Sequence, residues 1–168
     1  DQEVVGSNPT GCTRFMKIYN LEFKQIINKS IDEVFSFFSK PENLTLITPK
    51  ELDFKILTPI PIKMKEGQLI DYTIKVLKKK IRWRTIITEY DYPKIFIDQQ
   101  LKGPYSMWHH THQFDNHGDY VEVIDKINYV VPFGIIGQIL NFLFIKRDLI
   151  KIFKYRERNI EQYFKENE

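Results

Sequence analysis

The sequence predicts an α+β fold in which a curved antiparallel sheet of about seven strands wraps around a long C-terminal helix. Three observations carry this. Between Leu52 and Val131, apolar residues recur with a period of two, in runs separated by Pro, Gly and Asn turn signals. From Ile136 to Phe164 the spacing changes to three and four without a break, the period of a helix. The chain has 168 residues and is 42% hydrophobic, enough for one domain with a substantial core.

The elements follow in order. Ile18 to Ile27 reads as a first strand, alternating through Ile18, Leu21, Phe23, Ile26 and Ile27. Ser30 and Glu33 form a capping-box pattern, opening a short helix that buries Val34, Phe35, Phe37 and Phe38. Lys40-Pro41 ends it, because a residue before proline avoids the α region. Pro41 to Ile47 suits a second short helix, stopped by Pro49. Strands are then expected at Leu52–Leu57, Gly67–Leu77, Ile81–Tyr92, Ile95–Leu101, Tyr105–Asp115 and Tyr120–Val131. Lys78 to Lys80 and Asn116 to Asp119 are hairpin turns, and Pro132-Phe133-Gly134 closes the sheet. Ile136, Leu140, Leu143, Ile150, Phe153, Ile160 and Phe164 form the stripe by which the final helix packs on the sheet.

Residues 1–15 show neither period, and Met16 opens the alternating pattern. They read as a non-native or disordered leader before a single ligand-binding domain at 16–168. Gly6-Ser7-Asn8-Pro9 can be encoded by a stretch typical of one arm of transfer-RNA genes, which favours a gene-calling origin. The single cysteine, Cys12, excludes an internal disulfide and a cysteine-based zinc site. A net charge of +3 is too small to point to nucleic acid. Lys78, Lys79, Lys80, Arg82 and Arg84 sit at a hairpin tip, where charge is normally solvated. The apolar run Ile135–Ile145 is broken by Gly137, Gln138 and Asn141, so no spanning helix or stable membrane insertion is expected. Phe142-Leu143-Phe144-Ile145, ahead of Lys146-Arg147, reads as buried helix core, with transient membrane contact during ligand loading as the alternative. With no secretory signal, the expected location is the cytoplasm.

The segment Gly103-Pro104-Tyr105, Trp108-His109-His110-Thr111-His112-Gln113-Phe114 resembles small bacterial proteins of the START-like SRPBCC superfamily, of Bet v-type helix-grip fold. So do Asp125, Tyr129, Pro132-Phe133-Gly134 and Ile152-Phe153-Lys154-Tyr155-Arg156. The resemblance covers Lys17 to Phe164. It implies a helix-grip domain with a cavity between sheet and helix, in a superfamily of lipid and steroid carriers, hormone and alkaloid binders and polyketide cyclases. It names neither ligand nor reaction.

Alternation places Trp108, His110, His112 and Phe114 on one strand face, and Val121, Val123, Asp125, Ile127 and Tyr129 on one face of the next. A two-residue turn at His117-Gly118 sets His110 opposite Asp125; a four-residue turn sets His112 there instead. Three roles fit a buried histidine–aspartate pair: structural hydrogen bonding, orientation of a ligand, and acid–base catalysis. His110 and His112 have the spacing of some metal sites, but with no third ligand besides Asp125 no metal is expected, and no cofactor. His109 should face away. Tyr72, Trp83, Trp108, Phe114, Tyr129 and Phe153 are candidate walls, with Arg156 able to meet a ligand carboxylate or Asp125.

The chain lacks a phosphate loop, GxGxxG, G-x-S-x-G and HExxH. The leading expectation is binding of a small, largely apolar ligand of lipid, polyketide or aromatic type. The alternatives are a cyclase-like enzyme using His110 or His112 with Asp125, and a protein-interaction module whose cavity is filled.

Overall fold

A computed structural model describes residues 17–76 and 78–167; the leader expected at 1–15 lies outside them. Strand β1 (Tyr19–Ile27) is followed by helix α1 (Ile31–Phe38), a 3-10 turn (Pro41–Asn43) and helix α2 (Leu44–Ile47). The capping box forms as its residues require: the Ser30 hydroxyl accepts from the Glu33 amide, and the Glu33 carboxylate accepts from the Ser30 amide. β2 (Lys55–Ile56), β3 (Leu69–Val76), β4 (Lys79–Asp91), β5 (Ile95–Lys102), β6 (Met107–Asn116) and β7 (Val121–Val130) follow. All pairings are antiparallel, in the order β1-β7-β6-β5-β4-β3-β2.

The expected strand Leu52–Leu57 shrinks to Lys55–Ile56, because Lys50–Leu52 coils into a 3-10 turn and Asp53 takes a left-handed conformation at φ 41°. At the β3–β4 hairpin the basic tip is partly neutralised. Asp71 accepts two hydrogen bonds from Arg84, lies 3.4 Å from Arg82, and Lys80 reaches Asp53 at 3.7 Å.

The C-terminal helical region starts at Gly134, as α3 (Gly134–Leu140), widens into a π-helical stretch (Asn141–Ile145) and continues as α4 (Lys146–Glu166). Here the expected stripe is corrected. Ile136, Leu140 and Leu143 are exposed, and so is most of Phe142-Leu143-Phe144-Ile145, which had read as buried core. The inward residues are Gly137, Asn141, Ile145, Leu149, Phe153, Ile160 and Phe164. A spacing of four from Gly137 to Phe153 suits the wider π turn, which rotates the large apolar side chains outward. Packing enforces this choice. A side chain at Gly137 would collide with the Pro132 carbonyl, so only glycine lets the backbone approach there. Asn141, 1% exposed, accepts a 2.9 Å hydrogen bond from the Tyr129 hydroxyl, which makes a polar inward residue tolerable.

Three core regions result, the smallest formed by Ile62, Ile70 and Ile87. Near α1, Val34, Phe35 and Phe37 pack on Phe96, Phe114, Val123, Ile160 and Phe164. Toward the other end of α4, Trp83, Trp108, Ile127, Tyr129, Leu149 and Phe153 pack together.

Candidate functional site

Trp108, His110, His112 and Phe114 are all buried, as are Val123, Asp125, Ile127 and Tyr129 on β7, so the expected faces turn inward. The register differs from the two-residue-turn expectation. Four residues, 117 to 120, separate the paired Asn116 and Val121, so His112 is opposite Asp125 and His110 is opposite Ile127. The reason is the turn itself: the Asn116 side chain accepts from the Gly118 amide, Gly118 adopts φ 86°, and the His117 amide bonds to the Tyr120 carbonyl. The expected His110–Asp125 contact forms all the same, diagonally, at 3.0 Å.

A second carboxylate joins them. Asp98 on β5 stands opposite His110 and shares the face of Phe96. The four side chains close a ring. His112 Nε2 lies 3.1 Å from Asp98 Oδ2, and His110 Nδ1 lies 3.5 Å from the same oxygen. On the other side, His110 Nε2 and His112 Nδ1 lie 3.0 and 2.7 Å from Asp125 Oδ1, the second contact short but poorly aligned for an N–H···O bond. The imidazole centroids are 3.9 Å apart, Phe96 stacks on His112, and Phe153 meets His110 edge-on.

Burial and charge act in opposite directions here. Burial drives the His110 value down, the neighbouring His112 adds to that, and Asp125 only partly offsets it. Burial also works against the charged form of His112, but Asp125 and Asp98 together outweigh it and raise its pKa. For Asp98 and Asp125 burial favours the neutral acid, yet the histidines outweigh it and hold both below the usual carboxylate range. The Arg156 charge also favours ionised Asp98.

Arg156 lies on α4 with its guanidinium over Phe153, 4.9 Å from the ring centroid. With Phe23, Val123, Asp125, Phe153 and Ile160 it lines a cleft of about 60 Å³. That is small beside the ~300–1,000 Å³ of typical ligand pockets. The other expected wall residues, Tyr72, Trp83, Trp108 and Tyr129, pack as a continuous aromatic group around Tyr105. Phe114 instead packs under α1 against Phe35, Phe38 and Phe96. His109 faces outward, as expected, with Nδ1 2.8 Å from the Gln99 amide. Trp83 Nε1 and Arg156 Nε are buried and have no hydrogen-bond partner among the described residues, and the same holds for the Thr73 hydroxyl, His112 Nδ1 and one Glu42 carboxylate oxygen.

Sequence reasoning missed Asp98, Tyr105 and Asn141. Asp98 could have been found by the parity that places it with Phe96; Asn141 could not, since only the packing of Gly137 turns it inward.

No family model matches the sequence, and no curated protein matches it. Solved structures do match. Protein Ms6760 of Mycobacterium smegmatis is 12% identical, with a TM-score of 0.64 over 89% of this chain and 92% of its own. Major latex-like protein 151 of Panax ginseng is 13% identical, with a TM-score of 0.63 over 88% of this chain and 97% of its own. The fold is the helix-grip of the Bet v and SRPBCC type. Norcoclaurine synthase from Thalictrum flavum, in complex with dopamine and hydroxybenzaldehyde, extends the match. It is 14% identical, with a TM-score of 0.60 over 95% of this chain and 96% of its own. This helix-grip chain has no helix among its described residues that is long and apolar enough to cross a membrane.

Proposed function

We propose that this helix-grip domain binds a small, largely apolar ligand between sheet and α4, through an aromatic body and an end that accepts hydrogen bonds. The observation that carries this reading is that Arg156 Nε at the cleft and Trp83 Nε1 in the aromatic group are buried donors with no partner among the described residues. Buried polar groups are otherwise nearly always satisfied, and an unused donor costs roughly 1–3 kcal/mol. A ligand carbonyl or carboxylate would take up that capacity, while Tyr72, Trp83, Trp108, Tyr129 and Phe153 supply apolar contact. Asp98, His110, His112 and Asp125 then form the polar floor. A ligand larger than the cleft must move aromatic side chains aside. The complex of norcoclaurine synthase with dopamine and hydroxybenzaldehyde supports small aromatic compounds as the first to try.

Native mass spectrometry of the purified protein, beside a denatured sample, is expected to show an extra mass that vanishes on denaturation. Trp83→Phe keeps the packing but removes the donor, and should reduce occupancy about tenfold, one lost hydrogen bond. A bare protein mass, with no thermal shift across fatty acids, sterols and aromatic polyketides, would count against the reading.

A second observation favours a role for the surface beside this site. Phe133, Ile135, Ile136, Ile139, Phe142 and Phe144 are exposed, Phe142 by 83%. Ile135, Ile139 and Phe142 stand at helical spacing, and an exposed apolar face of this kind marks an interaction site. Its occupant is an anionic bilayer, because Lys146, Arg147, Lys151 and Lys154 follow directly with Asp148 as the only acid from Gly134 to Tyr155. Apolar ligands are stored in such bilayers, so docking there would allow loading. The protein should float with vesicles containing phosphatidylglycerol, less so in high salt, and Phe142→Glu should abolish flotation. Flotation that ignores Phe142→Glu would reject the bilayer, and a dimer dissociated by the same substitution would assign the surface to a second copy.

A further inference from the structure

We infer that Asp98, His110 and His112 form a binding site for one first-row divalent transition ion, of the zinc or ferrous class, with Asp125 as its outer support. The expectation of no metal rested on the want of a third ligand, and β5 supplies it in Asp98.

The geometry has the required form. Asp98 Oδ2, His112 Nε2 and His110 Nδ1 converge, with separations of 3.1 and 3.5 Å from the aspartate oxygen. All three donors lie within 4.8 Å of one another. Donors bound about 2.1 Å from one ion stand roughly 3.0 Å apart in an octahedral site and 3.4 Å in a tetrahedral one. Small side-chain adjustments would therefore seat the ion. Two histidines and one carboxylate leave positions open, as in catalytic zinc and non-haem iron centres.

The outer contacts point the same way. A histidine that ligates through one ring nitrogen usually donates its other N–H to a carboxylate, which fixes tautomer and orientation. Asp125 Oδ1 is bonded in this way to His110 Nε2 at 3.0 Å and lies 2.7 Å from His112 Nδ1, a contact that a small turn of the ring would align. Each imidazole thus has a carboxylate at both nitrogens. Protons alone could fill all four contacts only by making two adjacent imidazolium ions with centroids 3.9 Å apart. One divalent ion places two positive charges between Asp98 and the rings and leaves both imidazoles neutral.

Asp98 also retains the most open space of the four, its side chain 18% exposed against 5% for His110, 8% for His112 and 11% for Asp125. Arg156 is the nearby opposing charge. It disfavours a bare cation, and suits an ion whose open position carries an anionic ligand group. The site is independent of the apolar-ligand reading, because uptake of the ion is measured on the protein alone.

The test is titration of chelator-stripped full-length protein with Co²⁺, followed by visible d–d absorption, and with Zn²⁺ and Fe²⁺ by anaerobic calorimetry. Binding of one ion per chain is expected, with Mg²⁺ ineffective. Asp98→Asn and His112→Gln should each weaken it about 100-fold or more, and Asp125→Asn about 10–100-fold with the stoichiometry kept. His117→Gln, at the exposed turn, should change nothing. Zn²⁺ and Fe²⁺ affinities then decide between the two ions. A wild-type protein that produces no d–d bands and takes up no ion overturns the inference, whatever the variants do. Binding that survives both Asp98→Asn and His112→Gln overturns it as well.

Discussion

Asp125→Ala is expected to lower the unfolding free energy by about 3–5 kcal/mol near pH 6, measured by urea denaturation in the presence of chelator. The loss is large because one carboxylate serves two buried imidazoles, and its removal leaves them only the longer contacts to Asp98, at 3.5 Å for His110 and 3.1 Å for His112. The pH dependence follows from the directions of the shifts. Asp98 and Asp125 are depressed from 3.8, so their contribution is present above that value and is lost as pH falls through their folded values. His112 is raised from 6.5, so its contribution is full below 6.5 and is lost as pH rises through its folded value. His110 is depressed, so it opposes folding as pH falls from 6.5 through its folded value. The gap between wild type and Asp125→Ala should therefore be widest from about pH 4.5 to 6.5 and should close in acid below the carboxylate range. A gap that persists unchanged at pH 2 would mean that lost packing, and not charge, sets the cost.

Phe153→Ala should cost on the order of 3–5 kcal/mol, the usual range for removing a buried aromatic ring. Phe153 stacks on Phe23 at 4.5 Å, meets the edge of His110 at 5.6 Å and carries the Arg156 guanidinium on its face. It also walls the cleft, so its loss enlarges the space beside Asp125. Stability should fall while larger aromatic compounds gain affinity, and a thermal-shift series graded by ligand size would display both effects. A loss under about 1 kcal/mol, with no change in the preferred ligand size, would place Phe153 outside the binding space.

The relation between the two predictions lies in the sheet. β5, β6 and β7 are neighbours, and period two turns Asp98, His110, His112 and Asp125 to the same face. α4 then covers that face with Phe153 and Arg156. Acidic and imidazole groups at the centre of an otherwise apolar core are costly unless mutually paired, and here every one of them is.

The sequence alone determined the element order, the capping of α1, the antiparallel sheet and the inward faces of β6 and β7. These are local properties, set by hydrophobic period, turn chemistry and proline, and they need no knowledge of the partner strand. The Asn116–Tyr120 turn shows the limit: two turn lengths were open, and the side-chain and backbone bonds of Asn116 and His117 selected the longer one. Tertiary structure alone decided which residues of different strands meet. Asp98 joins the histidines because β5 lies beside β6, a fact of sheet order. It also decided which way the helix faces. Large apolar residues normally seek the core, but close approach of Gly137 to Pro132 and the Tyr129–Asn141 bond turn Phe142 and its neighbours to the surface. Packing geometry outweighs hydrophobic spacing there, because a helix can present only one face to a sheet at a given backbone distance.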